Sequence, residues 1–189
     1  MKNATFLIAF LLLFLMGHAQ TPPMPKVPPT GNSGMKMNKP KQVASPADSS
    51  MVMTSDGVNI KIRYGSPSLK GRTIGTDIVK PGERWRAGAN ETTTISFDKD
   101  VTINGQALAA GKYGLNVIPG EQNSTLIFNK SWQQWGTKFN EADDVLKVEV
   151  PNENLSSSQE RLKISADASG KIHMAWGNYG LSMEAKAAK

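Results

Sequence analysis

The feature that most constrains this chain is a period-two alternation of apolar and polar residues that sets in after Met51 and runs almost to the C-terminus. Val58, Ile60, Ile62 and Tyr64 alternate with Asn59, Lys61 and Arg63. Thr93, Ile95 and Phe97 alternate with Thr92, Thr94 and Ser96, and Tyr113, Leu115 and Val117 continue the pattern. After the apolar run Leu126-Ile127-Phe128 come Leu146/Val148/Val150, Leu162/Ile164, Ile172/Met174/Trp176 and Leu181/Met183. Successive side chains of a strand point to opposite faces, so each set has one apolar and one polar face, as half-buried strands do. Asn104-Gly105 between short apolar pairs predicts a tight hairpin, and Ala110-Gly111-Lys112, Pro119-Gly120 and Ser169-Gly170 mark further turns. Helical spacing is confined to a short turn around Thr137 to Asp143. The expectation is an all-β fold, an antiparallel β-sandwich of jelly-roll type, spanning residues 51–189.

Two segments precede it. Lys2, the unbroken apolar run Phe6 to Met16 and the small residues Gly17 and Ala19 have the build of a cleaved signal peptide over residues 1–19. An apolar run of that length is too short to span a bilayer, which takes about 20 residues. The mature chain is therefore expected to be exported, periplasmic or secreted, with no transmembrane segment. Residues 20–50 hold seven of the chain's 11 prolines and no aromatic residue, a composition that predicts a disordered, Pro/Lys/Met-rich linker. The whole chain has no cysteine, so disulfides, thiolate nucleophiles and Cys-ligated metals are excluded. Without disulfides, stability must come from the core, and a domain of this length is large enough to supply one.

Charge narrows the function further. Loss of Lys2 with residues 1–19 lowers the formal charge from +6 to +5, and Lys26, Lys36, Lys39 and Lys41 place much of the excess in the linker. The alternating region has no stripe of Lys and Arg interleaved with aromatics, so nucleic acid is not an expected partner. The mature chain has one histidine, His173, out of phase with Ile172, Met174 and Trp176, which predicts a solvated surface position. A single histidine without cysteine excludes a Cys/His zinc site. No Gly-x-Ser-x-Gly elbow and no phosphate-cradling glycine loop are present. Asp98-Lys99-Asp100 and Asp143-Asp144 read as solvated turn charges. No metal, cofactor or catalytic residue is expected.

What remains is a cluster in Glu83 to Phe97 (ERWRAGANETTTISF) and the paired tryptophans of Lys130 to Gly136 (KSWQQWG). Trp176 is in phase with core positions. Trp132 and Trp135 either close the end of the sandwich or form a stacking platform for a flat ligand such as a sugar. In the first stretch, a structural reading has Trp85 anchoring a strand edge and Gly88 permitting a turn. Arg86 and Glu91 then pair across that turn, and Asn90 bonds its own backbone. A functional reading puts Arg86, Asn90 and Glu91 at a loop mouth, with Arg72 and Trp135 nearby, where they grip a polar ligand. The candidate ligand-binding residues are Arg72, Trp85, Arg86, Asn90, Glu91 and Trp135.

The stretch from Ile62 to Val150 resembles the bacterial family called domain of unknown function 2911, common in exported proteins of Bacteroidota. The resemblance is carried by Tyr64 to Arg72 (YGSPSLKGR), Trp85 to Ile95 (WRAGANETTTI), Asn104-Gly105 through Ile118-Pro119-Gly120, Phe128-Asn129-Lys130, Gln134-Trp135-Gly136 and Asp144 to Val148. It implies a compact β-rich domain and brings no activity, substrate or catalytic residue. Where the family has a GLVPYGKVW-like lead-in, this chain has Gly75 to Trp85 without the aromatic. The expected function is a non-catalytic binding or envelope-accessory module for a small molecule, a carbohydrate or glycan, a peptide or an envelope protein. One alternative is a hydrolase of envelope glycans with Glu91 as acid or base; another is a purely structural envelope protein.

Overall fold

The computed structural model describes residues 44–189; the expected signal peptide and the linker up to residue 43 lie outside the described residues. Nine strands follow in chain order: β1 (Ala47–Met53), β2 (Asn59–Gly65), β3 (Thr94–Phe97), β4 (Val101–Ile103), β5 (Gln106–Leu108), β6 (Gly111–Ile118), β7 (Asn123–Asn129), β8 (Asp144–Ala166) and β9 (Lys171–Ala187). They form one continuous antiparallel sheet in the order β1-β2-β3-β6-β7-β8-β9-β4-β5. The short turn expected near Thr137 to Asp143 is a 3-10 turn over Glu141–Asp143, capped by the Asn140 side chain. None of the described helices is long and apolar enough to cross a membrane.

The sheet folds back on itself because two strands are long and bent. β8 runs for 23 residues; its first part, Asp144 to Pro151, pairs with β7, and from Asn152 onward it pairs with β9. Two register shifts, between Asn154 and Lys163, turn it from one layer into the other, as bulges do. β9 bends too. Its buried residues change phase from Ile172, Met174 and Trp176 to Leu181, Met183 and Ala185, and Gly177 sits at the change with φ +61°. A phase flip within one strand needs an extra residue in the ladder, and glycine takes the left-handed conformation at least cost. The β3–β4 and β5–β6 turns carry the chain across the layers and back. Beyond β2 the seam closes with Leu162 N–H donating to Pro67 O (2.9 Å), Leu69 N–H to Glu160 O (2.9 Å) and Ser66 Oγ–H to Leu162 O (2.7 Å).

The apolar phase of nearly every strand meets in one core, including Ile60, Ile62, Ile95, Phe97, Leu115, Phe128, Val148, Ile164, Met174 and Met183. Each such side chain, fully buried, contributes about 1.5–3 kcal/mol, which is what a cysteine-free sandwich relies on. The Asn104-Gly105 hairpin joins β4 to β5 with both residues at positive φ (47° and 82°), the geometry the dipeptide favours. One boundary differs from the sequence reading. β1 begins at Ala47, inside the segment read as linker, and pairs with β2 from Ala47↔Gly65 to Met53↔Asn59. Asp48 and Ser49 near its start are polar and exposed, so the strand is held by its ladder and by Tyr64 Oη–H donating to Asp48 (3.0 Å) rather than by an apolar stripe.

Candidate functional site

Beyond the end of β3, the Glu83–Phe97 stretch continues the sheet along β6. Trp85 N–H donates to Val117 O and Val117 N–H to Trp85 O, both at 2.8 Å. The Trp85 ring then turns inward and stacks on Trp176 at 5.7 Å between centroids, while its Nε1–H donates to Gly88 O at 3.1 Å. Trp85 is thus a core-edge anchor. The chain turns sharply after it, through Ala87 (φ 51°) and Asn90 (φ 65°). An alanine in that region costs about 1 kcal/mol or more; Thr93 Oγ–H, bonded to Ala87 O at 3.0 Å, helps to hold it. The turn lies against Gly65 so closely that a Cβ there would stand 2.1 Å from Ala89 O.

Arg86 leaves the turn on the side opposite Trp85. A Cβ at Gly136 would stand 2.1 Å from Arg86 Cδ and 3.0 Å from Asn90 O and Glu91 O, so the arginine stem is clamped beneath the Trp135-Gly136 backbone. Its buried Nε has no partner, and burial lowers the guanidinium pKa from its ordinary value. The expected Arg86–Glu91 pair does not form: neither residue makes an ion pair among the described residues. Nor does Asn90 bond its own backbone; its Nδ2–H donates to Ser45 O at 2.9 Å and ties down the segment entering β1. Glu91 is exposed, and only its backbone is engaged, in a bridge with Trp135.

The ion pair that does brace this stretch is made by Asp144, which is a buried partner of Arg84 and not the solvated turn charge expected from the sequence. Arg84 donates from both terminal nitrogens to Asp144 (3.0 and 2.8 Å), with the two side chains 10% and 4% exposed. Asn129 Nδ2–H adds a bond at 2.7 Å, and Lys147 lies at 3.3 Å. Burial pushes the Asp144 carboxyl up, but the bonds from Arg84 and Asn129 and the Arg84 charge outweigh it and hold the pKa below the ordinary carboxylate value. The Arg84 guanidinium also lies 4.9 Å from the Phe139 ring centroid. This clamp fixes the start of β8 to the loop that carries Trp85 and Arg86.

Outside the clamp, the two motif segments meet and enclose a cleft. Thr92 Oγ–H donates to Gln134 O (2.8 Å) and Gln134 Nε2–H to Ser131 O (2.8 Å), so the KSWQQWG loop stands beside Asn90–Thr92 as a wall. The floor is the outer, polar face of the sheet, where Arg63 of β2 is in register with Thr94 of β3 and Thr94 with Gly114 of β6. The cleft holds about 760 Å³, and Arg63, Glu91, Thr94, Lys112, Trp132 and Trp135 are among the side chains lining it. Trp135 is 53% exposed. Trp132 carries the Lys112 ammonium at 3.8 Å from its ring centroid. Asn90, Thr92 and Gln134 are spent on building the wall. The side chains of Arg63, Glu91, Thr94 and Gln133 make no hydrogen bond to described residues.

Of the residues singled out from the sequence, Asn90, Glu91 and Trp135 line this cleft, whereas Trp85 and Arg86 lie in the packing that supports it. Arg72 is elsewhere. It donates to Leu69 O (2.9 Å) and Ser68 O (2.8 Å) and lines a second cleft of about 780 Å³ with Leu69, Ile74, Val79, Glu153 and Tyr179. His173, expected to be solvated, is half-buried, 3.3 Å from Glu153. Arg63 and Lys112 escaped the sequence reading because the polar phase of a strand looks the same whether it faces bulk water or a cleft. Among the described residues no group of three or more His, Cys, Asp or Glu side chains is placed to hold a metal ion.

No curated protein and no solved structure matches the chain. A family profile described as "Protein of unknown function (DUF2911)" matches residues 45–185. That span takes in β1 to β8 and all but the last two residues of β9, and the chain belongs to this family.

Proposed function

We propose that the protein is a non-catalytic binding module that holds a carbohydrate in the cleft walled by the joined Glu91 turn and Trp132–Trp135 loop and floored by the outer face of the sheet. The observation that carries this reading is Trp135: a large aromatic ring, more than half exposed, at the wall of an open cleft that also presents hydroxyl, amide and charged groups. Exposing an indole forgoes a large apolar burial. A sugar ring offers it a C–H face to cover while its hydroxyls meet the polar groups around it. The wall is rigid, since Thr92, Gln134, Gly136 and Arg86 lock the two loops together, so little ordering cost attends binding. Export, expected from residues 1–19, would bring such a cleft to extracellular or envelope glycans.

Hydrolysis by Glu91 is less well supported. Glycoside hydrolases in general use two carboxyl groups about 5–10 Å apart, and Glu91 is the one carboxylate lining the cleft. The test is isothermal titration of the protein and of Trp135→Ala with a panel of oligosaccharides. Binding to at least one of them, weakened about tenfold or more in the variant, is expected. Absence of binding across the panel, or equal binding by a variant with unchanged melting temperature, would refute the proposal.

A further inference from the structure

The charged groups of the cleft are unbalanced. Two cations, Arg63 and Lys112, face it against the single carboxylate of Glu91. Neither cation makes an ion pair or a side-chain hydrogen bond among the described residues. The nearest other acid in sequence to a lining residue, Asp48, is occupied by the Tyr64 hydroxyl at 3.0 Å. Lys112 is held in place all the same, because its ammonium rests 3.8 Å from the centroid of Trp132. A cation over an indole face is attracted by the ring quadrupole, and that attraction still leaves N–H donors for a ligand. The two tryptophans therefore do different work. Trp132 seats a cation, whereas Trp135 keeps an exposed face for a sugar.

The register of the sheet puts the cations on one floor. Arg63 lies in line with Thr94 and Gly114, and Lys112 is two residues before Gly114 in the same strand, on the same face. Gly114 lends no side chain to the floor, and Thr92 and Trp132 fill the space above it: a Cβ at Gly114 would stand 2.9 Å from Thr92 Cγ2 and 3.6 Å from Trp132 Cα. A ligand that stacks on Trp135 and reaches across the floor thus meets a guanidinium fork, a hydroxyl and an ammonium. A guanidinium and an ammonium with no acid partner favour a carboxylate or sulfate over a hydroxyl, since bonds between charged groups are about twice as strong as neutral ones. Arg63 can grip such a group through two parallel N–H bonds.

We infer that the cleft selects an acidic saccharide, one whose rings carry a carboxylate or sulfate, with Arg63 and Lys112 as its specificity-determining residues. The inference rests on the carbohydrate reading of the cleft. Glu91, bridged to Trp135 in the same wall, accepts from ring hydroxyls and repels a ligand that enters with its acid group reversed.

The test uses calorimetric titration of the mature protein with oligogalacturonate, with neutral cello- and xylo-oligosaccharides of equal length, and with poly-glutamate as a polyanion lacking sugar rings. Arg63→Gln, Lys112→Met and Trp135→Ala are compared with the parent, each after its melting temperature is found unchanged. The expected result is binding of the acidic oligosaccharide, weakened about tenfold by each cation variant and by Trp135→Ala, and falling with added salt. Equal or tighter binding of a neutral oligosaccharide, lost in Trp135→Ala but insensitive to Arg63→Gln and Lys112→Met, overturns the acidic specificity and leaves the carbohydrate reading standing. Poly-glutamate binding as tightly as oligogalacturonate, with Trp135→Ala silent, overturns both, because attraction to a basic surface then explains the data.

Discussion

Removing one partner of the Arg84–Asp144 clamp should separate two consequences that a surface ion pair would not show. Asp144→Ala strands a guanidinium that is 10% exposed, leaving it the Phe139 ring and no acid. Arg84→Ala leaves Asp144 with Asn129 at 2.7 Å and Lys147 at 3.3 Å, so the carboxylate remains partly compensated. Breaking a buried pair from one side costs about 3–5 kcal/mol. The retained partners place Asp144→Ala within that range and Arg84→Ala lower, at about 2 kcal/mol. For a domain of this size each kcal/mol lowers the melting temperature by about 3 °C. Asp144→Ala should therefore melt about 10 °C below the parent and Arg84→Ala about 6 °C below. The double variant should lose less than the sum, with a coupling of about 1–3 kcal/mol. The assay is thermal unfolding followed by circular dichroism, on three variants and the parent. Single variants melting within about 2 °C of the parent, or a strictly additive double variant, would show that the clamp is a screened surface pair, and the bracing role assigned to it would be refuted.

Three further outcomes follow from the same geometry. The folded Asp144 pKa lies below its ordinary value, so its stabilising effect is present above about pH 4 and fades as the pH falls through the folded value. The gap in melting temperature between the parent and Asp144→Asn should accordingly narrow on acidification. Gly136→Ala pushes a methyl into Arg86 Cδ and two carbonyls and should cost about 1–3 kcal/mol in denaturant unfolding. Glu91→Gln, at an exposed and unpaired carboxylate, should leave the melting temperature within about 1 °C of the parent; a larger drop would mean that Glu91 supports the turn rather than facing a ligand.

The strands were legible because half-burial imposes period two, as Ile60, Ile62 and Tyr64 show. The hairpin was legible because Asn104-Gly105 accepts positive φ on both residues. The bends of β8 and β9 were not, since Leu146–Val150 and Leu162–Ile164 look like separate strands when a bulge interrupts their phase. Only in retrospect does the phase change at Gly177 mark a kink. The β1 strand carries no apolar stripe to betray it. Asp144 misled for another reason: a carboxylate beside Asp143 in a turn-like sequence gives no hint that Arg84, distant in sequence, closes over it. For the cleft, the aromatic wall could be seen in KSWQQWG and the carboxylate in the Glu91 turn. The cationic floor could not, because it takes three strands in register to assemble it.

A ligand held in the cleft lined by Glu91 and the tryptophan loop has a built-in reporter. The four indole N–H groups divide evenly, with Trp132 and Trp135 at the cleft and Trp85 and Trp176 stacked in the core. Nuclear magnetic resonance of nitrogen-15-labelled protein, titrated with oligogalacturonate and assigned through single Trp→Phe variants, reads all four at once. Ligand in the cleft should give saturable shifts of the Trp132 and Trp135 indole signals while those of Trp85 and Trp176 stay in place. Saturable shifts elsewhere in the spectrum, with the Trp132 and Trp135 indoles unmoved, would contradict it and move the site to another face of the sandwich.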